Sequence, residues 1–130
     1  MLTPKGWIEL IRLYILDKDY AGNTPLHWAC HTTAENAINF LLSWMDDVNL
    51  QDKKGQTPLH VAIHTFRPKI VKKLLFMGAD VNLKNNSGQS VLNIVSVNRN
   101  QIPDYENILH IITILSLVRV MTSTLSDVRS

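Results

Sequence analysis

An eight-residue stretch that recurs at one constant spacing along the chain is the feature that most restricts how this chain can fold. The two clearest copies, Gly22–Ala29 and Gly55–Ala62, share the central run Thr-Pro-Leu-His, and a weaker copy, Gly88–Val95, follows one step later. Threonine can cap a helix by accepting a free backbone N–H, and proline suits the first helical position because no donor is needed there. The sequence therefore predicts a helix that begins at the same point in both clear copies, and the third copy marks a degenerate repeat.

A second motif recurs at the same spacing: the sequence Asp-Val-Asn-Leu occurs at Asp47–Leu50 and again at Asp80–Leu83. Together with the Thr-Pro-Leu-His-x-Ala run, this pattern resembles the ankyrin-repeat family, whose period is about 33 residues. The resemblance runs from about Asp19 to Val95. It implies an all-α solenoid of helix-turn-helix units with short hairpin-like connecting turns, acting as a non-catalytic protein-protein interaction module.

The whole chain, 1–130, is predicted to form a single ankyrin-repeat domain. Its predicted parts are an N-terminal partial unit over 4–18, repeats over 19–51 and 52–84, a degenerate C-terminal repeat over 85–121 and a polar tail over 122–130. Inner helices are expected over 25–31 and 58–64, and outer helices over 4–16, 34–45, 68–77 and 104–121. Since the first and last helices are rich in apolar residues, we expect self-association or a continuing domain at the ends.

Composition argues against several classes of function. The chain is 45% hydrophobic and 18% charged, which is ordinary for a soluble domain. Its formal net charge of +2 is too small to favour nucleic acid or an anionic membrane as the main partner, so neither is expected for this segment. Cys30 is the only cysteine, which excludes an internal disulfide and favours an intracellular, cytoplasmic or nuclear, location.

Two histidine pairs are the sharpest candidates for a metal site. His27 with His31, and His60 with His64, lie four residues apart on one helical face. Zinc holds imidazole at about 2.0–2.1 Å, whereas packed helices lie about 8–10 Å apart, so the pairs would converge only with long reach. The resemblance implies instead that His27 and His60 tie the hairpin turn by hydrogen bonds. We therefore expect no metal site. The sequence also has no phosphate-binding glycine loop and no nucleophile elbow, so we expect no cofactor and no enzyme activity.

The resemblance also implies where a partner binds, on the concave side made of hairpin tips and inner helices. Carried over by register, the candidate partner-binding residues are Tyr20, Asn23, Trp28, His31, Thr32, Lys53, Lys54, Gln56, His64, Thr65, Asn86, Ser87 and Gln89. Tyr20 and Trp28 are expected to be anchors, because aromatic side chains bury large areas at small entropic cost. Selectivity is expected to come from Lys53, Lys54, His31 and His64. Trp28 has an alternative interpretation as a core residue.

Two finer resemblances extend these expectations. The run Thr-Pro-Leu-His-Trp-Ala, residues 24–29, resembles ankyrin domains of some protein palmitoyltransferases, in which the equivalent tryptophan helps to bind a proline-containing peptide. This resemblance implies an alternative function, as the substrate-recruiting domain of a larger enzyme such as a protein S-acyltransferase, with Trp28 in that role. Asn49 and Asn82 resemble sites of asparagine β-hydroxylation. The alternative is that both asparagines hold their turns through side-chain hydrogen bonds.

Overall fold

The computed structural model of the protein is all-helical over the residues that it describes. It describes the backbone of residues 3–32 and 34–129, with the side chains of these residues except Trp7, Arg12 and 119–129. The helices in these ranges are α1 (Pro4–Ile15), α2 (Pro25–Thr32), α3 (Glu35–Trp44), α4 (Pro58–His64), α5 (Pro68–Phe76), α6 (Val91–Val97) and α7 (Tyr105–Arg129). The predicted fold class, an all-α array of helix-turn-helix units, is confirmed.

The inner helices begin where the capping pattern predicts. The Thr57 side chain accepts from the backbone N–H of His60 at 3.2 Å, and α4 starts at the next residue. In the weak third copy, Ser90 accepts from the backbone N–H of Asn93 at 3.3 Å and α6 starts at Val91. Since serine caps a helix as well as threonine does, the helix survives the loss of the Thr-Pro pair.

The units stack because each inner helix packs in two directions. Within a unit, α2 packs on α3, α4 on α5 and α6 on α7; between units, α2 packs on α4 and α4 on α6. The predicted inner-helix faces are buried, and their members are Leu26, Ala29, Leu59 and Ala62. The small alanines allow close approach of the neighbouring helix. The result is a row of inner helices backed by a row of outer helices.

The apolar stripe of α3 is only partly in the core. Ile38, Leu41 and Leu42 are buried, but Ala37 and Phe40 are exposed. These two side chains line a groove beside α1, and no described inner helix covers them there. The apolar pattern of α3 therefore extends beyond the face that the core covers.

The last helix is longer than the sequence predicts. The expected end lies near Met121, with a polar tail after it, but α7 continues to Arg129. Serine and threonine lower helix propensity only slightly, and the run 122–129 has neither proline nor glycine to stop a helix. No described helix combines the length and the apolarity that crossing a membrane requires.

Candidate functional site

A cleft of about 390 Å³ lies on the inner-helix side of the stack, between α2 and α4 and beneath the loop tips that precede them. We call it the concave cleft. It brings together six of the predicted partner-binding residues, Asn23, Trp28, His31, Lys54, Gln56 and His64. The other predicted residues do not line it: Tyr20, Lys53, Asn86, Ser87 and Gln89 belong to the loop tips, and Thr32 and Thr65 to the helix ends.

Trp28 stands at the junction of two repeats and is 52% exposed, so it does not fill the core. Its indole Nε1–H donates to the Asp19 carboxylate at 2.9 Å. Its ring also meets the His31 ring edge-on, with centroids 6.2 Å apart. These two contacts fix the orientation of an exposed aromatic ring. Sequence reasoning missed the role of Asp19, because its recurrence with Asp52 indicates only a turn residue.

The loop tips beside the cleft carry positive charge. Lys53 and Lys54 are exposed, and neither forms an ion pair with a side chain that the structure describes. Asp52 also lines the cleft and adds a negative charge; its Oδ1 accepts from the backbone N–H groups of Lys54 and Gln56, both at 2.9 Å. Tyr20, at the preceding tip, is 97% exposed. The rim therefore presents two lysines and one exposed aromatic ring.

Gln56 contributes an unsatisfied acceptor to the lining of the concave cleft. Its side-chain Oε1 is buried, and no described group donates to it. A buried acceptor without a donor costs about 1–3 kcal/mol. Because this atom has almost no accessible surface, the Gln56 side chain would have to turn toward the cleft before a ligand N–H or O–H group could reach it and recover that free energy. Gln56 is therefore a point at which the cleft can recognise a polar group.

The signature histidines join neighbouring units. His27 Nδ1 accepts from the backbone N–H of Thr24 at 3.1 Å, which places the ring proton on Nε2, and Nε2–H donates to the Gln56 carbonyl at 2.8 Å. His60 repeats the arrangement one unit later, with the Gln89 carbonyl at 3.1 Å. Burial is the main cause that lowers the pKa of both histidines, so the neutral ring is favoured.

These bonds bear directly on the metal hypothesis. Both ring nitrogens of His27 and His60 are already engaged, so neither histidine has a lone pair directed at a shared ion. In the described part of the chain, no three or more His, Cys, Asp or Glu side chains are grouped to hold a metal. Cys30 is buried, and burial raises the pKa of its thiol to about 12. Its thiolate is therefore scarce at neutral pH.

The loop tips are linked by hydrogen bonds that run from each unit to the one before it. The backbone N–H of Lys53 donates to the Ala21 carbonyl, and that of Asn86 donates to the Lys54 carbonyl, both at 2.9 Å. The Asn86 side chain also donates to the Lys53 carbonyl at 2.6 Å. Part of what the sequence marks as a contact surface thus holds the stack together.

Four more predicted residues also have internal partners. Gln89 accepts from the Asn85 side-chain amide at 3.2 Å, and Ser87 donates its backbone N–H to the Asn85 side chain at 3.0 Å. At the helix ends, the Thr65 hydroxyl donates to the Ala62 carbonyl at 2.7 Å, and the Thr32 hydroxyl donates to the Trp28 carbonyl at 3.0 Å. These bonds shape the loops and helix ends next to the cleft.

The two candidate modification sites differ in their contacts. The Asn49 side chain accepts from the backbone N–H of Asp80 at 2.7 Å and donates to the Gly78 carbonyl at 3.5 Å. The Asn82 side chain accepts from the Ser116 hydroxyl at 3.0 Å. Asn49 thus bridges to the next turn, as the hydrogen-bonding alternative expects. Hydroxylation of either asparagine stays a prediction.

Comparison with known proteins agrees with the repeat geometry. The family described as "Ankyrin repeats (3 copies)" matches residues 5–85. A curated relative from Saccharomyces cerevisiae, named "Probable 26S proteasome regulatory subunit p28", is 47% identical over 38 residues. That match covers 29% of this chain and 17% of the relative, so the chain spans only a small part of the relative's length.

Proposed function

Since the chain belongs to the ankyrin-repeat family, whose members are generally protein-interaction modules and typically non-catalytic, we propose that it binds a partner protein through the concave cleft. The observation that carries this proposal is the combination, in one cleft, of the oriented and half-exposed Trp28 ring with the unsatisfied Oε1 of Gln56. The proposed function is recognition without catalysis.

Trp28 suits the role of an anchor because its ring is already oriented. The bond to Asp19 and the edge contact with His31 hold the indole while about half of the residue stays exposed. Side chains that are ordered before binding lose less entropy on association, which favours affinity. Tyr20 provides a second aromatic surface at the neighbouring tip. A partner segment that crosses from the tip into the cleft would contact both rings.

The charge of the rim favours an acidic partner segment. Lys53 and Lys54 form no ion pair with a described carboxylate, and together they outnumber the single negative charge of Asp52 beside them. Opposite charge at such a rim raises association rates and gives salt dependence. The partner segment should combine acidic side chains with an N–H donor for Gln56. His31 and His64 add ring nitrogens to the same cleft.

The proposal can be tested by selecting peptides from a random library on the immobilised full chain. Selected peptides should be enriched in Asp and Glu, and their affinity should fall when salt is raised from 50 to 500 mM. Lys54→Glu should weaken binding about tenfold, which corresponds to about 1.4 kcal/mol. Lys84→Glu is the matched control, because Lys84 is exposed and lies outside the cleft. Equal losses in the two variants would refute the assignment.

A second candidate is a substrate-recruiting domain of a larger protein S-acyltransferase. The exposed and oriented indole of Trp28 supports it, because such a ring can stack on a proline of a substrate peptide. The two candidates differ in what they select. Enrichment of proline without acidic residues, with binding lost in Trp28→Ala and kept in Lys54→Glu, would favour the second candidate over the first.

The similarity to the yeast protein supports the repeat and not a particular complex. The shared segment of 38 residues is little longer than one repeat of the family, and it leaves most of the relative unmatched. Association with a proteasome is therefore not part of the proposal. An intracellular location is proposed from the single free cysteine, Cys30.

A further inference from the structure

A second depression, of about 540 Å³, lies between α1, α2 and α3. We call it the N-terminal groove. Its walls are formed mainly by Tyr14 of α1, by Pro25 and Trp28 of α2, and by Ala37 and Phe40 of α3. The chain contains its own control for this surface, because the same positions recur one repeat later in α4 and α5.

On the inner helices, equivalent positions differ in burial. Pro25 is half-buried in the N-terminal groove, whereas its equivalent Pro58 is buried. Trp28 is exposed, whereas its equivalent Val61 is half-buried. The difference has one source: α2 packs against α4 on this side, and no described inner helix packs against α2 in the same way.

The outer helices show the same contrast more strongly. Ala37 is exposed, while its equivalent Ile70 is only 3% exposed. Phe40, an aromatic residue at 51% exposure, stands where α5 has the charged Lys73. The N-terminal groove thus exposes apolar side chains at positions that are buried or charged in the next unit.

The backbone at the rim indicates what a covering segment must supply. Each tip donates to the tip before it, as Lys53 N–H does to the Ala21 carbonyl, and the equivalent donor at this edge is the N–H of Tyr20. Likewise the Gln56 carbonyl accepts from the ring N–H of His27, and the equivalent acceptor is the Asn23 carbonyl. A segment that packs on this edge as one unit packs on the next would contact both the N–H of Tyr20 and the carbonyl of Asn23.

We propose that the N-terminal groove is a docking site for a short helix of a partner protein, one with the chemistry of α2. This helix would be about two turns long, with leucine and alanine on its apolar side and a histidine whose ring N–H donates to the Asn23 carbonyl. The loop before it would offer a carbonyl to the N–H of Tyr20. It would pack against α2 as α2 packs against α4, and it would lie over Ala37 and Phe40, which line the same groove.

The probe is a fluorescein-labelled, capped peptide that copies residues 19–32, with serine in place of Cys30 to prevent oxidation. Binding to the full-length chain is measured by fluorescence anisotropy. Because a peptide of this length is only marginally helical in water, we expect a dissociation constant in the range of about 10 μM to 1 mM. A peptide with Leu26→Asp should not bind, and one with His27→Ala should bind several-fold more weakly.

Two matched pairs of chain variants locate the site. Ala37→Glu puts a charge into the groove and should weaken peptide binding at least tenfold, whereas Asn36→Glu, exposed on the same helix and outside the groove, should not. Phe40→Ala should also weaken binding, and Phe76→Ala, on a 92% exposed side chain, should not. Circular dichroism verifies that each variant is folded.

The control for the concave cleft is Lys54→Glu, which should leave peptide binding in the groove unchanged and thus separates this proposal from the proposed function. No saturable binding up to 1 mM peptide would overturn the proposal, and so would equal losses in Ala37→Glu and Asn36→Glu. Sedimentation showing a dimer of the chain that Ala37→Glu dissociates would also overturn it, because the occupant would then be a second copy.

Discussion

The tips of two consecutive units approach each other closely at Gly55, and replacing this residue with alanine should destabilise the protein strongly. Gly55 has a φ of +76°, and a Cβ added there would lie 2.7 Å from the backbone nitrogen of Asn86 and 3.0 Å from the carbonyl carbon of Asn85. Backbone atoms cannot move aside as the end of a flexible side chain can. The tip of the next unit would therefore have to shift.

The magnitude follows from two terms. An L-residue at positive φ costs about 1–2 kcal/mol, of which about 0.4–1 kcal/mol is offset by the lower entropy of the unfolded chain. Shifting Asn86 also weakens its two bonds, to the carbonyls of Lys53 and Lys54, at about 0.5–1.5 kcal/mol each. The free energy of unfolding should fall by about 1–4.5 kcal/mol in Gly55→Ala.

Gly88 provides the control for this prediction. Its φ is +75°, almost the same as that of Gly55, but a Cβ there would meet nothing within 4 Å. Gly88→Ala should therefore show the conformational term alone, about 1 kcal/mol or less. Urea unfolding followed by circular dichroism gives both values. If the two variants lose the same free energy of unfolding within experimental error, the close contact between tips is not as described.

Three further predictions concern pH, packing and the thiol. Burial lowers the pKa of His27 and His60, so the stability that the two neutral rings contribute should be complete above the unfolded pKa of about 6.5 and should be lost as the pH falls below that value. Urea unfolding should therefore give a lower free energy of unfolding at pH 5.5 than at pH 7.5. Replacing both histidines with glutamine should make this difference between the two pH values smaller. Leu74→Ala should cost about 2–5 kcal/mol because the side chain is fully buried, whereas Phe76→Ala should cost less than about 0.5 kcal/mol. Cys30 should react with a thiol reagent far more slowly in the folded protein than in urea, and equal rates would contradict its burial.

The helices could be predicted closely because their signals are local. The inner helix predicted over 58–64 is found at Pro58–His64, and the outer helix predicted over 34–45 is found at Glu35–Trp44. A cap, a proline at the first position and an apolar period define α4, whereas α3, which has no side-chain cap and no proline at its start, is defined by its apolar period. The repeat boundaries that the same pattern indicates stay a prediction.

The errors lie where structure depends on distant parts of the chain. Phe40 fits the apolar stripe of α3, yet it is exposed because the first unit does not cover it. Trp28 could be an anchor or a core residue on sequence grounds, and its exposure depends on how two units meet. The predicted end of α7 is wrong because polar residues suggest a tail although nothing among them stops a helix.

The partner-binding set is the part that sequence could only outline. Register places Gln56 and His64 near each other, but the unsatisfied Oε1 of Gln56 is visible only in three dimensions. Conversely, register assigns Asn86 to the contact surface, and in the structure its side chain bonds the preceding tip. A repeat pattern gives the position of a side chain, and the neighbouring unit decides whether that side chain is free.

The concave cleft exists only if the tips of consecutive units are bonded into one stack, and amide hydrogen exchange of the full chain measures this directly. The N–H groups of Lys53 and Asn86, which donate to the preceding tips, should exchange at least tenfold more slowly than in an unfolded peptide of the same sequence. Exchange of both amides at the unfolded rate would contradict the stacked arrangement on which the concave cleft rests.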